Sequence, residues 1–272
     1  MTLAKAYAKI NLALVVGPLR TDGLHEIVTV VQRVDLHDDV ELEPARGLSV
    51  EGFPEDTLVE RALDELATVA DVAPDWHVRI EKRIPVAAGL GGGSADAAAA
   101  LLLANALLPS PLALAQLHEL AARVGSDVPC LLRVGPQLAT GAGTDLTALE
   151  LPSDYVVLLL LPQGHVKEST ASVYRAFDER SGAEGFDERS DALRDALARV
   201  REPRDLRSLP ASDLAASPLA GGLLRHGAFR VDVTGAGPVM YGLFEDDEAA
   251  ARASRALEDV GATWLARPIA GP

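Results

Sequence analysis

The stretch Pro85-Val86-Ala87-Ala88-Gly89-Leu90-Gly91-Gly92-Gly93-Ser94-Ala95-Asp96-Ala97-Ala98 constrains this chain more than any other. Four glycines and a serine stand between a run with strand character and a long run of alanine and leucine. Strand, glycine loop and helix, in that order, make an anion site. Glycine lets backbone amides approach an anion with no side chain in the way. The helix behind adds unpaired N–H groups and the positive end of its dipole. The expected ligand is a polyphosphate. A flexible connector would carry serine, proline and charge on both sides. This loop instead runs into 97–108, a nearly apolar helix expected to be buried. Ser94 and Asp96 are its expected partial caps, with a phosphate satisfying the remaining amides.

Two common phosphate loops are excluded. A Walker A loop ends in Gly-Lys-Ser/Thr, whereas Ser94 is followed by Ala95 and the loop holds no lysine. A dinucleotide fingerprint needs G-x-G-x-x-G, and position 94 is serine. Charge then narrows the partners. The formal net charge of −15 argues against nucleic acid. A polyphosphate cleft must therefore be locally positive inside a negative protein. Lysine occurs only at 5, 9, 82 and 167, all other fixed cations being arginine. Against that bias a retained lysine marks a place for a compact ammonium, which draws attention to Lys9 and Lys82. The single Cys130 excludes an internal disulfide or a cysteine-cluster metal site, and its apolar neighbours predict a small core residue. No apolar run is long enough to cross a bilayer, and the first residues lack leader character, so the expected setting is the cytoplasm, without a membrane partner.

Along the chain, 6–16 predicts a strand and Thr21-Asp22-Gly23 a turn. Residues 25–36 predict a second strand, broken by Asp38-Asp39 before a third at 40–43. The spacing of Leu58, Ala62, Leu63, Leu66 and Val69 predicts a helix over 57–70. Residues 76–81 predict the strand feeding the glycine loop. Ser110-Pro111 predicts another helix start, with serine as N-cap and proline at the first helical position. Gly125-Ser126-Asp127-Val128-Pro129 reads as a compact turn. A hairpin is expected around 141–143, a buried strand at 155–161, and a partly helical charged stretch at 178–207. That stretch carries Phe-Asp-Glu-Arg-Ser at 177–181 and again at 186–190. A last hairpin is expected around Thr234-Gly235-Ala236-Gly237-Pro238, followed by a helix over 247–260 and a strand at 263–266. The fold class is α+β, in two domains split near residue 150.

Three separated motifs resemble the GHMP kinases: Ala8-Lys9-Ile10-Asn11-Leu12, the loop at 85–98, and Thr234-Gly235-Ala236-Gly237-Pro238. Within that superfamily, Arg20-Thr21-Asp22-Gly23-Leu24-His25-Glu26, the segment 31–38 and Gly125 to Pro129 resemble the branch acting on a CDP-linked methylerythritol. Leu24 stands where that branch often has an aromatic residue. The resemblance implies a two-domain GHMP kinase fold: a ribosomal protein S5 domain 2-like N-terminal, ATP-binding domain (1–150) and a ferredoxin-like C-terminal domain (151–272). It implies ATP-dependent phosphorylation of a hydroxyl on the substrate's methylerythritol moiety, with Mg2+ accompanying the ATP. Catalytic roles fall on Asp127, as base, and Lys9, as its charged partner. ATP would be held by Pro85, Ala87, Ala88, Gly89, Leu90, Gly91, Gly92, Gly93, Ser94 and Ala95, with Ser94 also a candidate metal ligand. Substrate would be bound by Asn11, His25, Thr234 and Gly235. The implied acting species is a monomer or homodimer.

Read singly, these residues have plainer explanations. A Lys-x-Asn pair on a strand is ordinarily solvated surface. Asp127 could be only a helix cap, His25 a turn histidine, and 234–237 a hairpin turn. Their joint order with the glycine loop is what favours a kinase. The alternatives are a GHMP kinase acting on homoserine, mevalonate or a sugar, and a nucleotide-binding regulator without catalysis.

Overall fold

The computed structural model describes residues 2–53, 57–164, 169–214, 217 and 219–271. The chain forms two compact units, each assembled from separated stretches of sequence. The first comprises Met1–Ala8, Leu36–Val86 and Gly91–Arg133; the second comprises Lys9–Asp35, Ala87–Leu90 and Val134–Pro272. Two long strands, β1 (Thr2–Leu19) and β2 (His25–Pro44), contribute to both. The expected break at Asp38-Asp39 does not occur. Asp38 is buried, and its carboxylate accepts from Lys82 and from the amides of Arg83 and Ile84. A satisfied, buried aspartate has no reason to turn the chain towards water.

In the first unit, β2 pairs antiparallel with β4 (Trp76–Glu81), Val40 facing Ile80. The short β3 (Ser49–Glu51) adds in parallel on the other side of β4, Val50 facing Val78. α1 (Leu58–Ala70) buries Ala62, Leu63 and Leu66 of the expected stripe together with Val59 and Ala67, while Val69 is exposed. It packs on α2 (Gly92–Leu107) and on α3 (Leu114–Val124), and the single turn α4 (Val128–Leu131) follows. α2 starts at Gly92, ahead of the expected 97, with Gly91 as a left-handed N-cap at φ 70°. Ser94 and Asp96 are therefore not caps. They lie inside the helix, and Asp96 is bonded to Lys82 instead. Ser110-Pro111 does not start α3 either. Asn105 accepts the Leu112 amide (2.8 Å) and donates to its carbonyl (3.1 Å), so the helix waits until Leu114.

In the second unit, β2 pairs with β5 (Gln137–Gly141), which turns into β6 (Asp145–Ala148) as the expected hairpin. A second sheet runs in the order β10-β7-β9-β8, every pair antiparallel. Its strands are β7 (Val156–Pro162), β8 (Arg230–Val233), β9 (Met240–Phe244) and β10 (Gly261–Ala266). One face carries Val156, Leu158, Leu160, Met240 and Phe244. These pack with Ala250 and Ala253 of α8 (Asp247–Ala256), which ends short of the expected residue 260. The charged stretch forms α5 (Thr170–Glu179), α6 (Phe186–Leu197) and a 3-10 turn, Pro203–Ser208. The duplicated pentapeptide ends the first of these helices and begins the second. α7 (Ala220–Arg225) packs on β8 and β9. Arg230 ties this unit internally. Its guanidinium donates to the carbonyls of Leu12 (2.6 Å), Leu206 (3.0 Å), Leu209 (2.6 Å) and Pro210 (2.9 Å), and pairs with Asp232 (3.1 Å). Among the described residues, no helix is long and apolar enough to cross a membrane.

Candidate active site

Side chains alternate across a strand, so Lys9 and Asn11 of β1 share one face. They are not the solvated surface pair that composition favours, being 4% and 5% exposed. The Lys9 ammonium donates to Asn11 Oδ1 (2.9 Å), and Asn11 Nδ2 donates to Thr29 Oγ1 (2.9 Å) on β2. Thr29 in turn donates to the Ala13 carbonyl (2.7 Å), which fixes the amide's orientation. Thr234, fully buried in the turn after β8, accepts the Asn11 backbone amide at 3.2 Å. Its Oγ1 lies within donating distance of the Gly89 carbonyl oxygen (3.2 Å) and of Asn11 Oδ1 (3.4 Å), two acceptors for its one proton. A Cβ placed on Gly235 (φ 59°) would stand 3.4 Å from the Lys9 Nζ. Lys9, Asn11, Thr234, Gly235 and Gly89 thus converge on one buried ammonium.

The glycine loop enters this cluster through close backbone approach. The Lys9 amide donates to the Leu90 carbonyl (2.9 Å), and the Val239 amide to that of Ala88 (3.3 Å). Gly89 has φ 85°, and a Cβ there would lie 2.2 Å from the Thr234 carbonyl oxygen. A Cβ on Gly237 would lie 2.2 Å from the Gly89 nitrogen. Only glycine fits either position. Ala87 also holds a positive φ, 58°, a strained conformation for a side-chain-bearing residue.

In the first unit, the α2 N-terminus is built to receive an anion. Its first intrahelical bond runs from Ala95 N to Gly91 O (2.8 Å), so the amides of Gly92, Gly93 and Ser94 precede it. No acidic residue stands in that first turn, in a chain with 40 Asp and Glu. A nucleotide phosphate fits such a site. Asp127 is the N-cap residue of α4, as the plainer reading expected, yet its carboxylate makes no capping bond. Cys130 is the small buried residue expected, its thiol donating to the Asp127 carbonyl (3.1 Å).

His25 opens β2 in the second unit and is 8% exposed. Its Nδ1 is 2.9 Å from the Gly17 carbonyl, which makes that nitrogen the N–H donor. The ring stacks on Tyr174 of α5, centroids 5.0 Å apart, and meets Phe177 edge-on at 5.9 Å. Its Nε2 is 3.5 Å from Asp178 Oδ2. Residue 24, where an aromatic was looked for, is a half-exposed leucine, and aromatic rings flank His25 from α5 instead.

Residues 57–135 match the model for the GHMP kinases N terminal domain, and residues 217–263 that for GHMP kinases C terminal. A Corynebacterium efficiens protein named 4-diphosphocytidyl-2-C-methyl-D-erythritol kinase is 38% identical over 99% of this chain and 93% of its own. The chain belongs to the 4-diphosphocytidyl-2-C-methyl-D-erythritol kinase family. A second member of that family, from Desulfitobacterium hafniense, is 33% identical over 96% of this chain and 91% of its own. A crystal structure of 4-(cytidine 5'-diphospho)-2C-methyl-D-erythritol kinase matches with a TM-score of 0.78 and 32% identity, covering 100% of both chains. A mevalonate kinase matches with a TM-score of 0.77 at 12% identity, a likeness of fold alone. The protein is thus a kinase with the GHMP fold.

Sequence reading missed Thr29, Tyr174 and Phe177, and it missed the carboxylates paired with Lys82. A threonine inside a β-branched strand carries no mark of its role. The aromatics of α5 sit in a stretch read only as charged. Asp38 and Asp96 bond to Lys82 at 2.6 Å each, a grouping set by the pairing of β2 with β4 and by where α2 begins.

Proposed function

We propose that this kinase transfers the γ-phosphoryl group of ATP to a hydroxyl of 4-diphosphocytidyl-2-C-methyl-D-erythritol, forming the 2-phosphate in non-mevalonate isoprenoid precursor synthesis. The observation that carries phosphoryl transfer is the convergence of buried Lys9, Asn11 and Thr234 on a turn that admits only glycine. The names of relatives matched over nearly the whole chain support the acceptor.

The phosphates are assigned to Pro85 and to Ala87 through Ala95, within a nucleotide-binding domain of residues 1–150. Residues 151–272 are assigned as the partner domain, though the compact unit that holds them also takes in Lys9–Asp35, Ala87–Leu90 and the stretch from Val134. Asn11, His25, Thr234 and Gly235 are assigned to the CDP-linked alcohol. Magnesium is assigned to enter with the ATP, Ser94 being its candidate protein ligand. Among the described residues, no group of three His, Cys, Asp or Glu side chains could hold a metal. That fits an ion carried mainly by phosphate and water, which supplies charge neutralisation. The reaction is assigned to the cytoplasm, with a monomer or homodimer as the acting species.

Asp127 is assigned as the base. An alcohol holds its proton roughly 12 pKa units more tightly than an ordinary aspartate. Removing its proton in advance would cost about 16 kcal/mol. Asp127 therefore orients the hydroxyl and takes the proton late, as the new P–O bond forms and the bond to ADP breaks. The Lys9 ammonium stabilises charge on the transferred group.

The test offers ATP with a panel of alcohols: the CDP-linked methylerythritol, homoserine, mevalonate and a hexose. Turnover of the first is expected. Turnover of homoserine alone would move the chain to another GHMP activity, and ATP binding without any turnover would favour a regulator. With the preferred alcohol, Asp127→Ala should lower kcat by about 100-fold or more while ATP binding changes little. An unchanged kcat would remove Asp127 from the mechanism.

A further inference from the structure

We propose that Lys82 is a positioning residue for the nucleotide: with Asp38 and Asp96 it clamps both ends of the glycine loop and thereby sets its affinity for ATP. The inference rests on the assignment of that loop to the ATP phosphates.

The Lys82 Nζ lies 2.6 Å from Asp38 Oδ2 and 2.6 Å from Asp96 Oδ2. Asp38 Oδ1 accepts the amides of Arg83 and Ile84, the residues through which β4 exits. One ammonium therefore joins β2, the exit of β4 and the second turn of α2. Lys82 to Ile84 lead into the loop, and Asp96 lies just beyond it. The clamp also abuts the loop. A Cβ on Gly92 would stand 3.4 Å from the Lys82 Nζ and 3.1 Å from Ile84 Cγ2.

Stability alone does not account for this group. Two fully buried carboxylates share one ammonium that is 14% exposed. Asp96 Oδ1 is buried with no hydrogen-bond partner among the described residues. Excess buried charge and an unsatisfied oxygen weaken a fold. What the cluster does secure is the separation and direction of the loop's ends. Any freedom left in the segment between those ends must be removed when phosphate binds. The clamp removes it beforehand.

The test compares wild type, Lys82→Arg, Lys82→Met and the double variant Lys82→Met/Asp96→Asn. It reads the Kd for magnesium-ATP by calorimetry, KM for the alcohol, kcat at saturating ATP, and Tm. The double variant guards against simple unfolding. Asp96→Asn removes one of the two buried charges that Lys82→Met leaves without a counter-ion. Lys82→Met is expected to weaken ATP binding about tenfold, equivalent to about 1.4 kcal/mol, with the alcohol's KM within about twofold. Lys82→Arg should recover most of the affinity. The double variant should regain Tm and not ATP affinity. A double variant that binds ATP like wild type would overturn the proposal, as would parallel losses in ATP and alcohol binding. Failure of the wild type itself to bind ATP would instead remove the loop's assignment, and the clamp's role with it.

Discussion

Gly89 does two things that no other residue can do at once. Its φ of 85° suits a residue without a side chain, and the space where a Cβ would lie is occupied by the Thr234 carbonyl oxygen, 2.2 Å away. Gly89→Ala is expected to destabilise the protein by about 2–4 kcal/mol, combining left-handed strain with overpacking. It should also lower activity, because the displaced Thr234 hydroxyl holds the Asn11 amide. Thermal denaturation and steady-state kinetics on the same preparation check both, and an unchanged Tm would mean the turn yields freely. At this scale the sequence was informative in one respect and silent in another. The Lys9-x-Asn11 spacing places both side chains on one face of a strand. Nothing local says that the face is buried. That depends on Thr234, 223 positions away, and charged or amide side chains on strands are ordinarily wet.

Among elements, α2 departs most from expectation. Its alanine-rich body was legible, but its start was not, because glycine is a poor helix former and Ser94 and Asp96 look like caps. Tertiary ties decide the matter. Gly91 takes the left-handed N-cap, and Asp96 turns to Lys82. That placement has a pH consequence for the protein without nucleotide. Burial raises the Asp96 pKa from an ordinary value near 4 to about 7 in the folded state. Below about pH 4 both folded and unfolded states carry the proton. Between there and about 7 only the folded state does, so stability falls as pH rises through this window and then levels off. The Asp96→Asn variant lacks this slope. Its Tm should therefore gain on that of wild type between about pH 5 and pH 7.5, by several degrees. A constant difference across that range would show that Asp96 is already ionised at the lower pH.

For the molecule as a whole, the charge and the proposed ligand are opposed. A formal net charge of −15 repels magnesium-ATP at a distance, while the α2 N-terminus and Lys9 act only nearby. The Debye length shrinks from about 30 Å at 10 mM salt to about 10 Å at 100 mM. Association of magnesium-ATP should therefore quicken, about twofold or more, over that range. Stopped-flow binding of a fluorescent ATP analogue measures this, and a rate that falls with salt would show that the local positive field dominates at long range. Most strands and helices were visible as patterns in the sequence. Their assembly was not, since each compact unit draws on separated stretches and local periodicity carries no record of long-range pairing.

The Arg230 guanidinium makes that assembly a matter of time. It holds the Leu12 carbonyl across 218 positions of chain. At about 5–20 residues per second, a ribosome delivers this partner about 10–45 s after the strand that awaits it. Throughout that interval β1 can pair with β2, but its Leu12 carbonyl waits for the guanidinium. A chain cut short of Arg230 therefore lacks the guanidinium that holds the Leu12 carbonyl, however complete its N-terminal strands are.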